Sequence, residues 1–381
     1  MEAPKADIRI ALYLPALRSG GAARIMLTLA QAFRSMGLAT DLVASKMIGA
    51  FQDYVPDDIH PIGLGCERGW PVAPMFLRYL YRRRPTHILS TVYAANNIAP
   101  WVSRLSGLHP RVVVHQETTL TEYEREGWRY KRPTYLSKMR LNYRLADAVL
   151  VNSCGTGEDL VRHRIVGPDK LRLVPNPIVG PDMDRQREMA TGHPWLEQSE
   201  VPVIVGAGRL DAVKDFPTLI RAFALLRRRR QARLLILGEG GGLQQFRELS
   251  ENLGIAGDVD FPGFVENPCA YFAAAAVFAH SSLWEGFGNV LVEAMAMGTP
   301  VVATDCPGGP KEILLNGRLG PLAPVGDAEA MAAAIEQTLV NPVDGDLLRR
   351  RARSFSIDAV APRFLEVLLG NDTAANAFPA R

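Results

Sequence analysis

Residues 280–314, HSSLWEGFGNVLVEAMAMGTPVVATDCPGGPKEIL, set two carboxylates, Glu285 and Glu293, on either side of a glycine-rich turn. Glu285-Gly286-Phe287-Gly288 reads as a loop. From Asn289 to Met297 apolar residues recur at helical intervals, and the run stops at Gly298, so the glycines lead directly into a helix N-terminus. Such a terminus offers free backbone N–H groups to an anion. A diphosphate can sit there, with Glu285 in the loop and Glu293 about one turn into the helix both able to accept hydrogen bonds from hydroxyl groups. The pattern points to a sugar nucleotide.

Working outward, short apolar runs alternate with amphipathic helical segments, the signature of parallel sheets with crossover helices. The alternation occurs twice. The first series has strand candidates at 8–14, 39–44, 87–91, 111–115, 148–152 and 171–174, and helices at 22–36, 74–83, 95–106, 134–145 and 155–163. Residues 175–202, rich in Pro, Gly and charge, carry no sustained periodicity and read as a linker. The second series runs through strands at 203–208, 234–237, 259–261 and 277–279, with helices at 216–228 and 242–253. The expectation is an α/β chain of two Rossmann-like, doubly wound domains, 1–176 and 200–354, facing across a cleft. Ligands of such sheets bind beyond the carboxyl ends of the strands.

The chain has 381 residues, 48% of them apolar and 22% charged, enough for two cored domains and not the composition of a disordered chain. No apolar run approaches the ~18 to 20 residues of a membrane span, and MEAPKADIRI lacks the layout of a secretory signal, so a cytoplasmic location is expected. Cys66, Cys154, Cys269 and Cys306 are dispersed, without CxxC pairs or nearby histidines, and read as reduced core thiols. Net charge is +3, but residues 1–190 hold 26 Lys and Arg against 18 Asp and Glu, and the remainder 17 against 22. Arg82-Arg83-Arg84, after an apolar stretch, and REGWRYKR at 125–132 can lie against anionic lipid or be solvated charge at helix ends. No nucleic-acid-binding motif accompanies the charge. Arg227 to Arg230 end an expected helix and oppose its dipole.

Three loops carry candidate chemistry. After the first strand, Gly20-Gly21 permits close backbone approach and opens a helix towards an anion, or is simply a tight strand-to-helix turn; it matches neither GxGxxG nor a Walker sequence. After the first strand of the second series, Arg209 and Lys214 flank a loop, and two cations on one turn suit a diphosphate. Gly238 to Gly242 follows another strand and can shape a nucleotide pocket, and Phe264 stands where an aromatic ring can face a base. His115 ends a strand and Glu117 follows it, so either can orient a hydroxyl or act as acid or base. Asp182-Met183-Asp184 lies in the linker and is assigned no metal.

These residues resemble the large retaining glycosyltransferase family GT4, with its two-Rossmann GT-B fold. SGGAARIMLTLAQAFRSMG looks like the family's first glycine loop and helix, VLVNSCGTGEDL and VPNPI like the end of its N-terminal domain, GRLDAVKDFPTLIRAF like its phosphate-binding turn, and EGFGNVLVEAMAMGTPVVAT like its E-x7-E signature. The resemblance implies that Arg209 and Lys214 hold the donor diphosphate, that Glu293 accepts from the ribose and that Glu285 binds the transferred sugar. The amides of Phe287, Gly288 and Asn289 would lie near sugar and phosphates, and Gly20 and Gly21 would face the phosphates from the first domain. His115 or Glu117 would take the family's cleft position. A final helix at about 355–370 would cross back to the first domain. The implied activity is metal-independent, cofactor-free and retaining, from a nucleotide sugar, with a UDP-sugar expected, to a lipid-linked or polysaccharide acceptor at an anionic membrane surface, the protein being peripheral to it. An inactive sugar-nucleotide-binding or scaffold protein, and an epimerase of the same fold, are the alternatives.

Overall fold

The computed structural model describes the chain except residues 1–7, 18–19, 49–54, 56–58, 67–70, 121–132, 199, 372, 374–375 and 380–381. It divides into two compact units, Met1–Pro177 with Ile357–Arg381, and Ile178–Ser356. In the first unit, β1 (Arg9–Ala16), β2 (Ala39–Lys46), β3 (Ile62–Gly63), β4 (His87–Thr91), β5 (Arg111–Gln116), β6 (Ala148–Val151) and β7 (Leu171–Leu173) form a parallel sheet of order β3-β2-β1-β4-β5-β6-β7. Successive side chains on a strand point to opposite faces. Thus Leu12, Leu14, Val113 and Leu150 pack under the helices Gly21–Ser35 and Ile357–Leu369. Ala11, Tyr13 and Ile88, with Val114 and Val149 further along, pack under Val72–Arg83, Ala99–Leu105 and Pro133–Leu145. The last helix therefore completes the first unit's core, with Val360, Phe364 and Val367 buried in it.

The second unit contains β8 (Val203–Ala207), β9 (Arg233–Leu237), β10 (Val259–Gly263), β11 (Val277–His280), β12 (Val301–Thr304) and β13 (Leu322–Ala323), all parallel, in the order β10-β9-β8-β11-β12-β13. One face packs Ile204, Leu234 and Val302 against the helices Phe216–Arg227 and Ala328–Val340. The other packs Val205, Leu235, Phe278 and Ala303 against Asn289–Met297 and Gly345–Arg353.

Several expectations change. The single helix expected at 95–106 is two, Tyr93–Asn96 and Ala99–Leu105, and Pro100 sits at the start of the second. Proline cannot donate to a preceding turn but fits a helix N-terminus, so the chain restarts there. Residues 178–202, read as linker, are packed onto the second unit. The amides of Ile178 and Val179 donate to the Phe355 carbonyl at 2.8 and 3.1 Å, and Met183–Arg187 and Pro194–Glu197 are short helices. His193 is buried there, its Nδ1 accepting from the Trp195 amide at 3.2 Å while Nε2 donates to Asp260 at 3.0 Å. Hydrogen bonds, caps and irregularly spaced apolar side chains, Ile178, Met183, Trp195 and Leu196, secure this segment rather than a repeating apolar face, which is why periodicity overlooked it. Of the four thiols only Cys269 and Cys306 are buried; Cys66 and Cys154 are partly exposed.

Candidate functional site

The second sheet reverses direction of growth between β8 and β11, neighbours in space but not in sequence. In such sheets ligands bind beyond the carboxyl ends of the strands, at the switch point. The loop after β8 turns through a single 3-10 turn, Ala212–Lys214, and then starts the helix Phe216–Arg227, capped by Asp215, whose carboxylate accepts from the Thr218 amide at 3.4 Å. Asp215 adopts φ 43°, and burial pushes its carboxyl pKa up. The loop after β11 is tied to it, because the Leu283 amide donates to the Val213 carbonyl at 2.8 Å and the Ser281 hydroxyl to the Lys214 carbonyl at 2.7 Å.

Across this seam Lys214 Nζ donates to Glu285 Oε1, forming the site's central ion pair. The same oxygen accepts from Ser282 Oγ at 2.8 Å and lies 3.0 Å from His280 Nε2. Burial by itself would raise the Glu285 pKa. The Lys214 ammonium, followed by the His280 hydrogen bond, outweighs it and holds the carboxyl well below the usual carboxylate range. The shift favours the ionised form of Glu285 at neutral pH.

The loop Glu285–Gly288 is fixed from below. Glu285 N donates to the Pro307 carbonyl at 3.0 Å, and Phe287 is buried edge-on against Phe355, ring centroids 5.4 Å apart. Gly308, at φ 118°, touches this loop so closely that a Cβ there would overlap the Glu285 carbonyl oxygen. Only glycine fits. Gly288, left-handed at φ 103°, precedes the helix Asn289–Met297, whose N-terminus has no side-chain cap. Glu293, four residues beyond Asn289, is buried.

The other expected donor residues lie on neighbouring loops of the same sheet edge. Arg209 is 73% exposed on its side chain and pairs with Asp211 at 3.1 Å, whereas Lys214 pairs with Glu285, so the two cations do not converge. Gly238 to Gly242 is stitched to the Arg209 loop, with Leu210 N donating to Glu239 O at 2.8 Å and Gly242 N to Leu210 O at 2.9 Å. Phe264 follows β10 and is 65% exposed. His280 and Ser282 are the residues that sequence reasoning passed over. Their one signal was polarity at the end of an otherwise apolar strand, VFAH.

In the first unit Gly20 and Gly21 are exposed at the start of the helix Gly21–Ser35, beyond β1 and beside the β1/β4 switch point. His115 is 0% exposed, edge-on to Phe364 at 5.4 Å, and its Nδ1 is 3.2 Å from Glu117 Oε1. Phe364 of the last helix packs over the His115 ring. Glu117 keeps some exposure and accepts from Thr91 Oγ1 at 2.6 Å. Next to Thr91, Val92 holds φ 67°, a strained conformation for a β-branched residue. Of the arginine triplet, Arg83 is committed to Asp41, with Nη2 2.6 Å and Nε 3.0 Å from its two oxygens. REGWRYKR lies outside the described residues.

Two doubly wound parallel sheets, of seven and six strands, have the architecture of the GT-B glycosyltransferases. Residues 19–179 match the model of Glycosyltransferase Family 4 and residues 193–355 that of Glycosyl transferases group 1, and the chain belongs to this GT4-type family. Over 380 residues it is 28% identical to the N-acetylgalactosamine-N,N'-diacetylbacillosaminyl-diphospho-undecaprenol 4-alpha-N-acetylgalactosaminyltransferase of Campylobacter jejuni, covering 95% of this chain and 100% of that one. Over 178 residues it is 35% identical to the lipopolysaccharide core biosynthesis glycosyltransferase LpsE of Rhizobium meliloti, covering 45% of this chain and 50% of LpsE. Among solved structures, Anabaena HepE in complex with UDP superposes with a TM-score of 0.78 at 20% identity, covering 95% of this chain and 100% of that one.

Proposed function

We propose that this glycosyltransferase moves a sugar from a UDP-sugar to a lipid-diphosphate-linked or polysaccharide acceptor, with retention of anomeric configuration and without a metal. The observation that carries the donor half is the Lys214–Glu285 pair at the switch point beside the helix Asn289–Met297. Lys214, Arg209 and the helix N-terminus supply positive charge where a departing diphosphate gains negative charge, the work a divalent ion does in other transferases. Glu285 accepts from hydroxyls of the transferred sugar, and Glu293 from the ribose. The leaving phosphate takes the acceptor's proton on the face it vacates, so catalysis rests on positioning and on stabilising the leaving group.

The acceptor half draws on the Campylobacter relative, whose name specifies an undecaprenyl-diphosphate-linked substrate and an alpha linkage. Peripheral attachment to the cytoplasmic face of a membrane fits such a substrate. No described helix is long and apolar enough to cross one. Residues 68–116 contain seven arginines and no carboxylate, and the helices on that side of the first sheet expose Tyr81, Leu105 and Leu141. A basic surface with apolar side chains suits anionic lipid. The direct test is incubation with UDP-hexoses and UDP-N-acetylhexosamines, each with a short undecaprenyl-diphosphate saccharide, with and without EDTA. A mass increase of one sugar unit, alpha-linked and EDTA-insensitive, is expected. Hydrolysis or epimerisation without transfer would overturn the reading.

A further inference from the structure

His280 has no role in the function proposed above, yet it is the last residue of β11 and is buried against the carboxylate at the centre of the site. Its Nε2 is 3.0 Å from Glu285 Oε1 and 3.3 Å from Ser282 Oγ, and its Nδ1 has no hydrogen-bond partner among the described residues. The ring proton that the carboxylate needs is thus on Nε2. All three donors to Glu285, from Lys214, Ser282 and His280, converge on Oε1. Oε2 accepts from none of the described residues and is the oxygen left for a ligand hydroxyl.

The three donors are not equivalent. Ser282 and His280 are short side chains fixed at the end of a central strand, whereas Lys214 reaches the carboxylate on a flexible stem from the neighbouring loop. A diphosphate carries more negative charge than one carboxylate and draws the ammonium towards itself. The Lys214–Glu285 ion pair is then weakened when a diphosphate binds.

We infer that His280 is a positioning residue for Glu285, holding Oε1 in place while Lys214 turns to the diphosphate, so that Oε2 stays aimed at the transferred sugar. Lys214 can serve the phosphate without leaving a loose carboxylate behind. His280 touches neither nucleotide nor sugar and acts only through Glu285. The inference rests on the assignment of this site to a nucleotide sugar.

Its signature is selectivity between ligands that share the nucleotide. Calorimetric titration with UDP and with the UDP-sugar that binds the wild type gives, for His280→Ala, about a tenfold loss of affinity for the UDP-sugar, with UDP changed by no more than about twofold. His280→Gln, whose amide can donate to Oε1, restores most of the loss. Ser282→Ala, which removes a second donor to the same oxygen, weakens the UDP-sugar in the same selective way. Equal losses for both ligands would make His280 merely structural, and unchanged UDP-sugar affinity would make it irrelevant; either overturns the inference. If His280→Ala does not fold, His280→Asn takes its place, with the same selective loss expected and the same two refuting outcomes. Wild-type protein that binds no UDP-sugar would instead overturn the assignment of the site itself.

Discussion

Removing the Lys214 ammonium tests the electrostatics of the site most severely. In Lys214→Ala, Glu285 stays between two loops with only Ser282 and His280 to compensate it. Deleting one partner of a buried pair costs about 3–5 kcal/mol, since the survivor is left charged and poorly solvated. The two side chains here are 17% and 13% exposed and two hydrogen bonds remain, so the low end applies, about 3 kcal/mol. For a unit of this size that is a fall in Tm of roughly 6–12 °C. The pH dependence has a definite sign. In the wild type the Glu285 pKa lies below its unfolded value, so the pair stabilises the fold above roughly pH 4.3 and the gain is lost only as pH falls through the depressed folded value. In the variant burial dominates and moves the Glu285 pKa up, so the destabilisation is largest at pH 7–8 and shrinks as acid protonates the carboxyl. Lys214→Ala/Glu285→Gln should recover most of the loss. Thermal melts of the wild type, Lys214→Ala and the double variant at pH 8 and pH 5 measure this. A Tm change under about 2 °C, or one identical at both pH values, would refute the reasoning.

Other consequences follow from the same geometry. Arg209→Ala, which removes only an exposed pair with Asp211, should leave Tm within about 1 °C while weakening UDP binding about tenfold; melts and calorimetry separate it from Lys214→Ala. Gly308→Ala, at φ 118° and in contact with the Glu285 carbonyl, should cost at least ~2 kcal/mol and abolish donor binding, read by denaturant unfolding and titration. Arg83→Ala strips two hydrogen bonds from buried Asp41; because Arg83 is itself half exposed, about 1–2 kcal/mol is expected, against no more than ~0.5 for Arg82→Ala. Sedimentation with anionic vesicles should show binding at low salt that falls as salt rises, and neutral vesicles should show none.

Where a local signal reflects the whole environment, the sequence was readable. The apolar runs of β1, β4 and β8 are buried on both faces, so their hydrophobicity alone marked them. The EGFG turn and the helix after it were equally plain, because Gly288 holds a left-handed φ that favours glycine. The two-residue strands β3 and β13 are too short to carry a period, and the packed segment 178–202 is held by hydrogen bonds and irregularly spaced apolar side chains that have none. The role of His280 was hidden for a different reason. Its partner is five residues away across a turn whose shape only the folded loops reveal. Pairing was hidden too: Arg209 and Lys214 look alike on one loop, but one faces solvent with Asp211 and the other is drawn to Glu285.

The central claim is that the loops beyond β8 and β11 form a nucleotide-sugar site in which Glu285 reads the sugar and Glu293 the nucleotide. Titrating UDP and a UDP-sugar into the wild type, Glu285→Gln and Glu293→Gln measures it directly. The account predicts that Glu285→Gln weakens the UDP-sugar and spares UDP, whereas Glu293→Gln weakens both. Wild-type affinities in both variants, or the reverse selectivity, would contradict it.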